Sequence, residues 1–246
     1  MIIGSNLLFF ENLPSTNTFT ADLLRKNHLA EGTIIQTNFQ TAGRGYLSNK
    51  WESEDGKNLL ISIVLYPSVI TAAHQFFISM AISLGICDFL LRFIPGCRIK
   101  WPNDIYVNND KIAGILIESS LLGNSIEQTI AGIGLNINQD KFSKSVPNPI
   151  SLRLLSGQEY DVSKCLKELA TDLDKRYKSL ISGDFKKITH EYISHLYKRN
   201  EWFQFKNKSG IFTGKILTVT QDGRLVVEKQ DHTTDEYSFK EIEFIL

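Results

Sequence analysis

The first 66 residues place apolar side chains in short runs separated by polar stretches. Leu7–Phe10 and Thr33–Asn38 are rich in strand-forming residues. Asn58–Tyr66 reads as a strongly apolar strand stopped by Pro67. Between the first two, Ser15-Thr16-Asn17 offers helix-capping side chains, and Phe19, Leu23 and Leu24 follow at helical spacing until His28–Gly32. Thr71–Phe93 holds the helical period longest and predicts the main long helix, ending before Pro95-Gly96. Arg98–Trp101 reads as a strand closed by Pro102. Ile105–Val107 and Ile112–Glu118 flank Asn108-Asn109-Asp110, a hairpin turn, and Gln128–Asn138 adds a third meander strand. Lys141–Pro149 is a polar loop, and Ser163–Leu180 and Phe185–Lys198 predict two further helices. Near Asn200 the helical period stops. Trp202–Lys206, Ile211–Thr220, Arg224–Lys229 and Glu236–Phe239 are short β segments with turns at Gly210 and Asp222-Gly223. The expectation is an α+β fold: residues 1–199 form a mixed, largely antiparallel sheet packed with helices, and residues 200–246 a small C-terminal β-barrel.

Composition narrows the function classes. Of 246 residues, 42% are hydrophobic and 22% charged, so the chain can bury a core without disulfide or metal staples. Lys+Arg and Asp+Glu both number 27, giving a formal net charge of zero and none of the basic excess that non-specific grip on nucleic acid requires. The three cysteines, Cys87, Cys97 and Cys165, are odd in number and lack Cys-x-x-Cys spacing, which fits a reducing cytoplasm rather than a disulfide framework or zinc knuckle. The N-terminus has no basic leader, and apolar runs such as Leu59–Leu65 are far shorter than a membrane span. A cytoplasmic protein without membrane or nucleic-acid partners is expected, as a monomer or a homodimer.

Candidate chemistry lies where polar residues and glycines interrupt apolar strands. Gln40-Thr41-Ala42-Gly43-Arg44-Gly45-Tyr46, followed by Trp51, combines glycines that bring backbone N–H groups close to an anion with an arginine suited to a carboxylate or phosphate. An ordinary surface loop has the same composition. Lys100-Trp101-Pro102-Asn103-Asp104 precedes Lys111-Ile112-Ala113-Gly114-Ile115-Leu116-Ile117-Glu118. Asp104 there suits Mg²⁺, which takes few protein ligands and several waters, and Lys111 suits a reacting phosphate. A hairpin salt bridge between Asp104 and a lysine reads equally well. In Ala131-Gly132-Ile133-Gly134-Leu135-Asn136-Ile137-Asn138 two glycines weaken a strand, which makes sense if a ligand or another backbone lies against it. The five histidines show no metal-ligand spacing, and neither a Gly-x-Ser-x-Gly elbow nor a Gly-x₄-Gly-Lys-[Ser/Thr] loop occurs.

Taken together, the segments resemble the biotin protein ligases. The resemblance rests on Ser15-Thr16-Asn17, Gln40-x-Ala42-Gly43-Arg44-Gly45, Trp51, Asn58-Leu59, Lys100-Trp101-Pro102-Asn103-Asp104, Lys111-x-Ala113-Gly114-Ile115-Leu116-x-Glu118 and Gly134-Leu135-Asn136, in order along the chain. It implies a ligase domain similar to class II aminoacyl-tRNA synthetases, with a C-terminal β-barrel. It also implies the reaction: biotin and ATP give biotinyl-5′-AMP, and biotin then passes to a lysine of a biotin carboxyl carrier domain. By resemblance, Lys111 and Arg44 are catalytic. Ser15, Thr16, Asn17, Gln40, Arg44, Gly45, Tyr46, Trp51, Lys111 and Gly132 bind biotin. Lys100, Asn103, Asn136 and Lys111 bind ATP, and Asp104 places Mg²⁺.

Two departures matter. The family loop often continues with further arginines and a glycine, whereas this chain has Tyr46-Leu47-Ser48-Asn49-Lys50, so less charge holds the adenylate unless Lys50 compensates. Some relatives also carry a DNA-binding helix-turn-helix ahead of the ligase domain. Ser15-Thr16-Asn17 lies too near Met1 for one, and a short form without a repressor role is expected. The alternatives are a lipoate- or octanoate-type acyl ligase, whose usual Arg-Arg-x-x-Gly-Gly-Gly loop is absent, and a non-catalytic biotin- or nucleotide-binding module, which has no need of Lys111 and Asp104 together.

Overall fold

A computed structural model describes residues 1–46, 49–144 and 146–245. Its first sheet has seven strands: β1 (Leu7–Leu13), β2 (Ile34–Gln40), β3 (Leu59–Leu65), β4 (Cys97–Lys100), β5 (Asp104–Val107), β6 (Asp110–Leu122) and β7 (Ser125–Leu135). They lie in the order β1-β2-β3-β7-β6-β5-β4, with β1 and β2 parallel and every other pair antiparallel. The helices are α1 (Thr16–Lys26), α2 (Phe76–Leu90), α3 (Leu152–Ser156), α4 (Val162–Ile181) and α5 (Phe185–Ser194).

All seven residues of β3 are buried because both faces of the sheet are covered. Leu59, Ile61, Ile63 and Leu65 join the large core with α2 and α4, whereas Val64 joins a smaller cluster with Phe10, Phe19 and Leu24 beneath α1. The alternation of β3 thus feeds two cores from one strand. Helix α2 is covered on nearly every side, so it lacks a polar face. Together with its lead-in turn it makes a segment, Ala72–Leu90, long and apolar enough to cross a membrane, but 72% of that segment's apolar window is buried, as in a core helix. A Cβ at Gly85 would lie 2.8 Å from Leu173, so this glycine lets α2 and α4 approach.

The expected long helix over Thr71–Phe93 is shorter: Ala72–His74 forms a 3₁₀ turn, α2 starts at Phe76, and α4, with 20 residues, is the longest helix among the described residues. Ser15 has extended backbone angles and makes no side-chain cap bond. Gln40 caps α1 instead, its Oε1 accepting the Thr16 N–H at 2.8 Å and the Thr16 hydroxyl at 3.2 Å.

The C-terminal part is a five-stranded antiparallel sheet in the order β11-β10-β9-β8-β12: β8 (Trp202–Asn207), β9 (Gly210–Val219), β10 (Leu225–Lys229), β11 (Thr234–Tyr237) and β12 (Ile242–Phe244). Its inner residues Phe205, Ile216, Leu225 and Val227 belong to the same continuous core as α2. The Trp101 indole N–H donates to the Gly223 carbonyl at 2.8 Å. Gly223 has φ +94°, and a Cβ there would sit 2.6 Å from the Phe76 ring, so only glycine suits this junction.

Candidate active site

Residues opposite one another across a sheet share a face, and one such row explains the site. Leu60 on β3 pairs with Gly134 on β7, Gly134 with Gly114 on β6, Gly114 with Asp104 on β5, and Asp104 with Lys100 on β4. The glycines form a trough on the face that carries Asp104 and Lys100. A Cβ at Gly134 would lie 2.3 Å from the Trp51 indole and one at Gly114 2.9 Å from it, so the trough seats Trp51. A Cβ at Gly132 would lie 2.3 Å from Asn17 Oδ1. Gly132 and Gly134 themselves border the cleft, and their missing Cβ atoms also make room for the side chains that shape it.

Strict alternation would turn Lys111 away from this face. A bulge intervenes: Ile105 pairs with Ala113 but Tyr106 pairs with Lys111, skipping Ile112. Lys111 thereby shares a face with Asp104, and its Nζ lies 2.6 Å from Asp104 Oδ1 and 5.8 Å from the Trp51 ring centroid. The hairpin salt bridge and the cleft lysine are one feature. Lys100 donates to the Tyr106 hydroxyl at 3.1 Å and sits over the Tyr106 and Phe244 rings. Burial lowers the Lys100 pKa below the ordinary lysine value, Asp104 opposes this, and Lys111 reinforces it. Burial also pushes the Tyr106 hydroxyl up to about 12, with Asp104 adding to the shift.

These side chains border a cleft of about 380 Å³. Its far end is built from α1. Asn17, 3% exposed, accepts from the Ser62 hydroxyl at 2.6 Å and donates to the Leu116 carbonyl at 3.2 Å and Glu118 Oε2 at 2.8 Å. Arg44, on the loop after β2, pairs with Glu118 Oε1 at 2.8 Å and reaches Thr18 Oγ1 at 3.3 Å. Asn103 donates to the Ile115 carbonyl at 2.6 Å, fastening the turn after the cis Trp101-Pro102 peptide onto β6.

Ser15, Thr16, Asn17, Gln40, Arg44, Gly45, Tyr46, Trp51, Lys100, Asn103, Asp104, Lys111 and Gly132 all border this one cleft, as does Lys50. Asn136 does not. Strand β7 ends at Leu135 rather than at Asn138, and Asn136 turns inward. Its Nδ2 donates to the Ile150 carbonyl at 2.9 Å, and its Oδ1 is buried without a partner among the described residues. Of the departing loop, Leu47 and Ser48 lie outside the described residues. Sequence reasoning missed the second wall. Ile242, Glu243 and Phe244 of β12, with Phe239 just before it, also border the cleft, and the Tyr46 ring meets Phe239 edge-on at 4.2 Å.

The family model for the biotin/lipoate A/B protein ligases matches residues 9–136. A bifunctional ligase/repressor BirA from Bacillus spizizenii is 30% identical over 245 residues, covering 96% of this chain and 74% of the relative. The chain belongs to the biotin/lipoate A/B protein ligase family. A biotin–[acetyl-CoA-carboxylase] ligase from Paracoccus denitrificans is 30% identical over 171 residues, 66% of this chain and 70% of that one. The biotin protein ligase from Aquifex aeolicus in complex with biotin and ATP has the same fold, with a TM-score of 0.81 at 24% identity over 97% of this chain and 98% of that one. The family match runs from within β1 to just past the end of β7, the stretch that carries the polar and glycine-lined walls of the cleft. The C-terminal sheet lies beyond it.

Proposed function

We propose that this protein is a biotin protein ligase, which activates biotin with ATP and passes it to a lysine of a biotin carboxyl carrier domain. The observation that carries this reading is one cleft holding a polar pocket, an apolar indole wall and four cations, Lys50 among them. Asn17 and Gln40 end the pocket, Trp51 walls it, and Arg44, Lys111 and Lys100 line it.

Bringing a carboxylate onto a phosphate joins two anions, so positive groups must sit where charge builds up. In the first step a biotin carboxylate oxygen attacks the α-phosphorus, the O–P bond forms, and pyrophosphate leaves with the electron pair. Arg44 and the backbone at Gly45 and Tyr46 hold the carboxylate. Lys111 stands between carboxylate and α-phosphate and loses its Asp104 partner to them in part. Ser15, Thr16, Asn17 and Gln40 hold the head of biotin, and Trp51 covers its chain. Lys100 and Asn103 serve the nucleotide. In the second step the carrier lysine amine attacks the adenylate carbonyl, the amide bond forms, and AMP leaves. Phe239 and Phe244 roof the cleft and exclude water from the mixed anhydride.

Among the described residues no group of three or more His, Cys, Asp or Glu side chains gathers as a cage. That suits Mg²⁺, which keeps waters and phosphate oxygens as ligands. Asp104 is the carboxylate that would hold it, and the ion would supply countercharge to the phosphates. The cytoplasm is the compartment we assign, consistent with three buried free thiols, Cys87, Cys97 and Cys165. The test is isotope exchange between pyrophosphate and ATP. Exchange that depends on biotin is expected. Exchange dependent on lipoate or octanoate instead, or none with any of these acids, would overturn the reading.

A further inference from the structure

Resting on the ligase reading, we infer that Glu118 is a positioning residue that holds two side chains of the biotin site, Asn17 and Arg44, at a fixed spacing. Glu118 does not itself border the cleft, but both side chains it grips do. Its Oε2 accepts from Asn17 Nδ2 at 2.8 Å, and its Oε1 accepts from Arg44 at 2.8 Å. Asn17 belongs to α1, Arg44 to the loop after β2, and Glu118 to β6. One carboxylate therefore spans three segments distant in sequence.

The geometry gives each bond a purpose. The Ser62 hydroxyl occupies Asn17 Oδ1 from one side, and Leu116 O and Glu118 occupy both Nδ2 protons from the other. The amide cannot flip without breaking these bonds, so Oδ1 stays an acceptor above Gly132. Arg44 is otherwise an exposed side chain on a glycine-bearing loop, with Thr18 Oγ1 as its other partner at 3.3 Å. A freely rotating arginine would have to be ordered when the carboxylate binds. Held by Glu118, it is ordered beforehand, and the ligand keeps that part of its affinity. The carboxylate hydrogen bonds of Glu118 are charge-assisted, the stronger class.

Glu118→Gln keeps an oxygen for Asn17 but removes the charge that holds Arg44. We expect the KM for biotin to rise roughly tenfold, the value of one such bond, while the KM for ATP stays within about twofold of wild type. Glu118→Asp, which keeps the charge but withdraws it by one methylene, should also raise the biotin KM. The deciding arm is a double-mutant cycle with Arg44→Ala: Glu118→Gln should add little in that background. A merely structural role would penalise both backgrounds alike and raise both KM values, and that result overturns the inference. So does an unchanged biotin KM in Glu118→Gln. Calorimetric titration of the wild type with biotin separates the two levels. Absence of binding there defeats the ligase reading and this inference with it, whereas wild-type binding with no effect at Glu118 defeats this inference alone.

Discussion

Two regions of this molecule use arginine and carboxylates in opposite ways. Behind the sheet, Arg176 of α4 takes Asp88 of α2 through Nε at 2.5 Å and Nη2 at 2.8 Å, and Glu191 of α5 through Nη1. Its side chain is 15% exposed. Hydrogen bonds from Asp88 raise the Arg176 pKa above the ordinary arginine value, burial opposes them, and Glu191 adds to the rise. In the cleft, among the described residues, Arg44 and Lys111 are each paired with a single carboxylate, Glu118 and Asp104, beside open space. A cation shared by two carboxylates on three helices is saturated and fastens them. A cation with one partner at the edge of a cleft retains capacity for an incoming anion. Ion pairs alone do not mark function; what stands beside them does.

The largest test of this contrast is Arg176→Met. It leaves Asp88 and Glu191 without their cation, and breaking a buried pair costs about 3–5 kcal/mol. Denaturant unfolding should show that loss, while adenylation per folded molecule stays near wild type. Lys111→Ala should do the reverse. Loss of a group that stabilises transition-state charge costs about 3–4 kcal/mol of barrier, a rate loss of several hundredfold in biotin-dependent pyrophosphate exchange. The half-buried pair it breaks is worth no more than about 1 kcal/mol of stability.

Gly134→Ala sharpens the contrast differently, because its Cβ would lie 2.3 Å from the Trp51 ring. Overpacking of this kind costs about 1–3 kcal/mol. Both the unfolding midpoint and the biotin KM should worsen, since the indole belongs to fold and site at once. Tyr46→Arg adds a cation to the loop that borders the cleft. Release of biotinyl-AMP, followed by stopped flow, should slow roughly tenfold, the worth of one charge-assisted hydrogen bond. An unchanged off-rate would remove Tyr46 from the account of the loop.

The smallest effect concerns pH. Lys100 carries a lowered pKa because burial penalises its charge. The sign follows: the penalty on folding is present below the lowered value and is relieved as pH rises from there towards the ordinary 10.5. Stability should therefore gain slightly across that alkaline window while nucleotide affinity falls, as the charge is lost. Lys100→Met should flatten both slopes, checked by thermal unfolding and ATP titration over the same range.

Much of this was legible along the chain. The apolar run of β3 and the Asn108-Asn109 hairpin follow from patterning and turn chemistry, and most of the polar residues singled out do converge. What was hidden depends on pairing across distance. The glycines of β7 announce that something lies against the strand, but only the register shows Trp51 and Asn17 there. Strict alternation puts Lys111 on the wrong face, and a one-residue bulge corrects it. Ser15 looks like a helix cap, yet Gln40 arrives from β2 to take that role. Asn136 looks like the end of a ligand-facing strand, but the strand stops one residue earlier and the amide turns to Ile150. The three residues of β12 are too few for a periodic signal, so the aromatic roof over the cleft appears only once the C-terminal sheet is docked.

We propose that the cleft between the two sheets makes and consumes a biotinyl adenylate. The most direct test weighs a biotin carboxyl carrier domain by mass spectrometry after incubation with this protein, biotin and Mg·ATP. A gain of one biotinyl group on a single carrier lysine is expected, abolished or greatly slowed by Lys111→Ala. No gain on a carrier that an established ligase modifies, or an equal gain with Lys111→Ala, would contradict it.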